Sequence, residues 1–214
     1  MPPPPPRLTL TPPPRRDDGL AVLILAAGAS RRLGQPKALV RLSGQSLVLR
    51  AACLAAALHP TWVGVVVGSR AGALVAPLKG LGVHRVQAHQ WRLGLSASLR
   101  AGVRAAPLRA KRLLILSVDQ WGLTYQDLRS LVRPHGRHPV AARYQDTLGI
   151  PACFPRRVWP ALLIRRQDRG AKDLLSSAHS VALPRASTDL DTPAALQVLR
   201  AKAHHHRACP RPAP

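Results

Sequence analysis

The chain contains no glutamate. Its nine acidic residues are all aspartates, set against 27 arginines and 5 lysines. Carboxylates are therefore scarce, and the position of each carries more information than usual. Aromatic residues make up only 3% of the sequence: one Phe, two Tyr and four scattered Trp. Proteins that bind single-stranded nucleic acid add aromatic stacking platforms to their positive charge. The lack of them argues against a nucleic-acid partner, despite a formal net charge of +23. The accompanying richness in Ala, Pro and Arg is what a GC-rich genome produces. What remains of the basicity suits a polyanionic small ligand.

Cysteine is also sparse. Cys53, Cys153 and Cys209 form no CxxC pair and are odd in number. This argues against a disulfide framework or a zinc cluster and fits a reducing cytoplasm. No apolar run reaches the roughly 18 residues that a membrane-spanning helix requires. Met1–Pro14 is rich in proline and lacks the apolar stretch of a signal peptide.

What is present reads as one domain between two tails. Residues 1–18 are expected to form a disordered proline-rich leader, residues 19–203 the folded domain, and residues 204–214 a disordered basic tail. Three apolar runs, Leu20–Ala26, Val63–Val67 and Leu113–Val118, have the length and β-branched content of strands buried on both faces. Between and after them, Ser46–Leu58, Ser96–Ala106 and Thr124–Arg133 read as helices. Thr192-Pro193 opens a last one, with an N-cap followed by proline at the first helical position. The alternation predicts an α/β fold, a single three-layer α/β/α domain with a mostly parallel sheet. Ligands of such sheets bind outside the carboxyl ends of the strands. Two chemically loaded segments fall there: Ala27–Lys37 after the first run and Asp119-Gln120 after the third.

The first segment reads Leu25-Ala26-Ala27-Gly28-Ala29-Ser30-Arg31-Arg32-Leu33-Gly34-Gln35-Pro36-Lys37. Its small residues let the backbone approach a phosphate chain, its amides can cradle the oxygens, and Arg32 and Lys37 supply charge. It is neither a P-loop, since Gln35 stands where the lysine belongs, nor a dinucleotide fingerprint. Asp119, a lone carboxylate at a strand end, is either a turn former or a ligand for a hard cation shared with phosphates. The second reading is the stronger. Asp189 and Asp191 are candidates for a second carboxylate, and Asp191 also suits the cap of the last helix. Gly94–Ser98 opens a helix whose free amides could meet base or ribose, or is a simple helix start. Trp91 reads as a core residue or a rim contact. His204–His206 belong to the tail.

The pattern L-A-A-G-x-S-x-R-x-G-x-P-K resembles the signature of the MobA-like NTP transferases, and within them the molybdenum cofactor cytidylyltransferases. Guanylyltransferase relatives tend to carry Gly and Asp where this chain has Ala27 and Pro36. Further segments agree in family order: Trp91-x-x-Gly94-x-Ser96-x-Ser98, Val118-Asp119-Gln120, Gly149-x-Pro151, Asp168-x-Gly170-Ala171-Lys172 and Asp189-x-Asp191-Thr192-Pro193. The family usually follows Asp-Gln with proline, whereas here Trp121 follows.

The resemblance implies a nucleotide-diphospho-sugar transferase-like fold. It also implies transfer of a nucleotidyl group from an NTP, pointing to CTP, onto molybdopterin with release of pyrophosphate. Arg32, Lys37 and Asp119 would be catalytic. Ala26, Ala27, Gly28, Ala29, Ser30, Arg32, Lys37, Gly94 and Ser96 would bind nucleotide, and Asp119 with Asp191 would hold Mg²⁺. The recipient molybdoenzyme or its chaperone is a further partner in view. Two alternatives stay open: a related enzyme using another phosphorylated acceptor such as a sugar phosphate, and a non-catalytic basic binder on the same fold.

Overall fold

The computed structural model describes residues 17–28, 30, 33–68, 71–133, 137–164, 172–187, 190 and 194–197. A seven-stranded sheet forms its centre. In chain order its strands are β1 (Asp17–Ala26), β4 (Pro60–Val67), β5 (His84–Gln87), β6 (Arg112–Ser117), β7 (Val140–Tyr144), β8 (Thr147–Pro155) and β9 (His179–Ala182). A two-stranded ribbon, β2 (Arg41–Leu42) and β3 (Gln45–Ser46), stands apart. The helices are α1 (Leu47–Ala56), α2 (Val75–Leu78), α3 (Leu95–Ala105), α4 (Tyr125–Val132) and α5 (Trp159–Ile164).

The spatial order is β5-β4-β1-β6-β8-β7-β9. Every pairing is parallel except the two made by β8. The sheet is thus mostly parallel, as expected. β1 is central, and its alternate residues feed two different cores. Leu20, Val22, Ile24 and Ala26 join the cluster beneath α1 and α4. Ala21, Leu23 and Leu25 join the cluster beneath α3 and α5. A strand covered on both faces has no polar face to show, which is why this one reads as a continuous apolar run.

The three expected helices appear, with ends within two residues of those expected. Ser46 caps α1 by accepting from the Leu49 amide at 3.4 Å. Thr124 and Asp127 form a reciprocal capping box on α4. Gly102 of α3 lies so close to the sheet that a Cβ there would meet Leu23 Cδ2 at 2.4 Å. Of the expected last helix, residues 194–197 are helical and the others lie outside the described residues.

β1 begins at Asp17, inside the segment expected as leader. The Asp17 amide donates to the His59 carbonyl at 2.9 Å, and its carboxylate accepts from Arg112 at 2.5 Å. Residues 1–16 and 201–214 lie outside the described residues. Strands β5, β7 and β9 and the β2–β3 ribbon were not foreseen, because each is short and mixes charged with apolar residues. Cys53 and Cys153 are buried, and neither forms a disulfide among the described residues. Burial pushes the Cys153 thiol up to about 12, so it is a neutral core group near pH 7. No helix among the described residues is long and apolar enough to cross a membrane.

Candidate active site

The strand order reverses at β1, which has β4 on one side and β6 on the other. A crevice opens outside the carboxyl ends of strands at such a point. It is a cavity of about 480 Å³, lined by the end of β1 and its loop, the end of β6 and the start of α3.

The loop after β1 folds back on itself. Ser30 sits at φ 51°, and its hydroxyl accepts from the Lys37 amide at 2.9 Å. The Leu33 amide donates to the Ser30 carbonyl at 3.1 Å. Gly34 takes φ 72°, a conformation that glycine adopts without strain. These contacts return the chain to the cavity, where Lys37 opens a 3-10 turn, Lys37–Leu39. A Cβ on Gly28 would meet nothing within 4 Å, so this glycine leaves open space beside the strand end rather than relieving a packing clash.

The opposite wall is the end of β6. The Val118 amide donates to the Leu25 carbonyl at 3.3 Å, tying the two strand ends together. Asp119 follows, and its Oδ2 accepts from Lys37 Nζ at 2.9 Å, with both side chains largely buried. Gln120 fixes this turn from behind. Its Oε1 accepts from the Ser117 amide at 3.3 Å, while its Nε2 donates to the carbonyls of Ile150 at 2.5 Å and Ala186 at 3.2 Å. The third wall is Trp91, which packs over Gly68: a Cβ at 68 would lie 2.6 Å from the Trp91 ring and 2.7 Å from the Ala27 carbonyl. Trp91 also packs against the core beneath α3, so it is both core and rim.

Seven of the sequence-derived positions therefore share one cavity: Ala26, Ala27, Gly28, Ser30, Lys37, Gly94 and Asp119. Ser96 does not line it. Its side chain is buried, with no hydrogen-bond partner for its hydroxyl among the described residues, and Ser98 lines the cavity instead. The helical turn decides this: Gly94 and Ser98 are four apart and share a face, whereas residue 96 lies on another. Ala29, Arg32, Asp189 and Asp191 lie outside the described residues. Arg92, Leu95 and Ser117 also line the cavity and were missed. The Arg92 guanidinium lies 5.2 Å from the centre of the Trp91 ring. Its signal in the sequence was its place inside Trp91-x-x-Gly94.

The model of the MobA-like NTP transferase domain matches residues 22–182. The chain belongs to this family. Among MobA-like relatives, a protein of Synechococcus elongatus named "Probable molybdenum cofactor guanylyltransferase" is 58% identical over 44 residues, 20% of this chain. That stretch spans 23% of the relative's length. A crystal structure of a Mycobacterium tuberculosis Rv0371c homologue from mycobacterium sp. strain JC1 superposes with a TM-score of 0.75 at 25% identity. It covers 89% of this chain and 98% of that one. Rv0371c of M. tuberculosis H37Rv in complex with manganese gives 0.72 at 22% identity, covering 86% and 98%, and shares the fold. The fold is that of the nucleotide-diphospho-sugar transferases, as the resemblance implied.

Proposed function

We propose that this MobA-like protein transfers a nucleotidyl group from an NTP to the phosphate of molybdopterin and releases pyrophosphate. The observation that carries this reading is the meeting of Lys37 and Asp119, 2.9 Å apart, where the ends of β1 and β6 enclose a cavity with an open glycine loop. A cation for phosphates and a carboxylate for a hard metal ion are thereby set side by side.

The donor set can be weighed for a metal. Among the described residues no three His, Cys or Asp side chains cluster to hold an ion unaided. One cavity carboxylate suits Mg²⁺, which is commonly held by one or two carboxylates together with substrate phosphates. Asp119 would hold it, with Asp191 as the second candidate. Bound there, the ion supplies neutralisation of charge across the reacting phosphates. The name of the manganese-bound Rv0371c structure is in keeping with a divalent ion in this fold.

The rest falls to the chain's own groups. An acceptor phosphate oxygen attacks the α-phosphorus as the bond to pyrophosphate breaks. Little covalent work is asked of the protein, so positioning and charge dominate. Lys37, Arg32 and the loop amides hold the β- and γ-phosphates. The Gly94 end of α3, with Ser98 and Arg92, holds the nucleoside side.

Ala27 and Pro36 favour CTP as the donor, on the family pattern. The 44-residue match to a protein named as a guanylyltransferase favours GTP. Thermal-shift measurements with the four NTPs and Mg²⁺ separate them. A donor at about 100 times its dissociation constant raises stability by roughly 2.7 kcal/mol. Stabilisation by none of the four overturns the nucleotide reading, and stabilisation by GTP alone overturns CTP.

A further inference from the structure

Trp121 stands where the family pattern has proline, and the structure shows what it does there. Its amide donates to the Asp119 carbonyl at 2.9 Å, a bond that proline cannot make. Its carbonyl accepts from Arg50 Nε of α1 at 2.9 Å, and Arg50 also donates to the Leu123 carbonyl at 3.4 Å. Its ring packs, half-buried, against a third apolar cluster separate from the two cores that flank the sheet. That cluster draws on two distant stretches of chain, 33–47 and 190–196. Leu33 and Val40 bracket the stretch that carries Lys37, Leu42 and Leu47 come from the ribbon and α1, and Leu190 and Leu196 flank the stretch that contains Asp191 in the sequence.

We infer that Trp121 is a positioning residue, a clasp that holds the Asp119 turn, the stretch 33–42 and the residues Leu190 and Leu196 in one arrangement. In the family pattern, proline stiffens the turn by fixing its own φ. Here stiffness comes from outside, through ring packing; the Arg50 bonds go to backbone carbonyls that proline would keep. The ring therefore does what proline cannot, since proline has neither the amide nor the reach to join Leu33 to Leu190. It follows that restoring the family's proline is harmful in this chain. The kinetic part of this inference rests on the nucleotidyltransferase reading; the structural part does not.

The test compares Trp121→Phe, Trp121→Pro and Trp121→Ala with the wild type, by amide hydrogen exchange and by pyrophosphate release. In the Pro and Ala variants, amides in residues 33–42, 190 and 194–197 should exchange at least about tenfold faster, while those of β4 and β5 keep their protection. The Phe variant should restore protection. In kinetics, the Pro and Ala variants should lose kcat and raise the KM for NTP, with recovery in Phe. Unchanged exchange in 33–42, 190 and 194–197 overturns the clasp whatever the activity. So does a Trp121→Pro variant with wild-type exchange and kinetics, or a loss of protection spread evenly through the sheet. A wild type that transfers to no acceptor tells instead against the nucleotidyltransferase reading, and the exchange experiment still decides the clasp.

Discussion

Two cavities of the same size lie near opposite ends of the sheet. The first, at the carboxyl ends of β1 and β6, contains about 480 Å³. The second, also about 480 Å³, lies beyond the amino ends of β7 and β9 between Arg137–Pro139, the start of α5 and Leu174. Volume does not distinguish them, but lining does. The first places one carboxylate against one lysine, beside a glycine with open space. The second is lined by Arg137, His138 and Arg157, with no acid among its described lining residues, and the Arg157 guanidinium is engaged with the Arg137 carbonyl at 2.7 Å. In a chain with nine acids and 32 lysines and arginines, a basic concavity is the ordinary outcome. A partly buried carboxylate at a strand end is not. A site is recognised here by the scarce residue rather than by the hollow.

The sharpest way to break this comparison is Asp119→Asn. The amide keeps the shape but loses the charge that holds a cation and pairs with Lys37. Pyrophosphate release at saturating Mg²⁺ should fall by at least about 100-fold, with the circular dichroism spectrum unchanged. Wild-type turnover would show that Asp119 only shapes its turn.

Next in size is Lys37→Ala, expected to lower kcat/KM for the NTP by roughly 10- to 100-fold, about 1.4–2.8 kcal/mol of lost transition-state stabilisation. Arg31→Ala is the control, since Arg31, next to Arg32 in the sequence, falls off the family pattern. Equal losses in the two variants would mean that the loop acts by bulk charge. The smallest effect belongs to the other cavity. Arg137→Ala combined with Arg157→Ala should leave transfer within about twofold of wild type and cost no more than about 0.5 kcal/mol of stability, the usual range for exposed positions. A larger loss of transfer would give the second cavity a part in the reaction.

The same contrast explains what could be read from the residues alone. β1, β4 and β6 are covered on both faces, so their apolar runs announced a parallel sheet, and the rule for such sheets pointed to the ends of β1 and β6, which line one cavity. Lys37 and Asp119 were legible because each closes a strand-end segment, although 82 positions separate them. Ser96 was assigned to the site because motif spacing counts residues, whereas the helix counts angles. Arg92 was hidden among many arginines. β7 and β9 escaped notice because Arg143, His179 and Ser180 interrupt them, whereas Gly149-Ile150-Pro151, read as a strand, does lie in β8. Within β8, Gly149 lies beside Tyr144, whose hydroxyl would sit 2.4 Å from an added Cβ. The part played by Trp121 could not be foreseen, since a cluster joining Leu33 to Leu190 leaves no periodic trace.

The central place of β1 has a consequence for how the chain is made. It is the first strand of the sheet to leave the ribosome, yet its residue Leu20 pairs with Arg112, roughly ninety residues later. At synthesis rates of about 5–20 residues per second, an apolar strand with two sticky faces and an unpaired edge waits on the order of 5–20 s for that partner. During this interval the nascent chain holds the loop of Lys37 but not Asp119. Newborn chains should therefore lean on a holding chaperone, and shortage of one should deplete this protein through aggregation before any fault in its chemistry is felt.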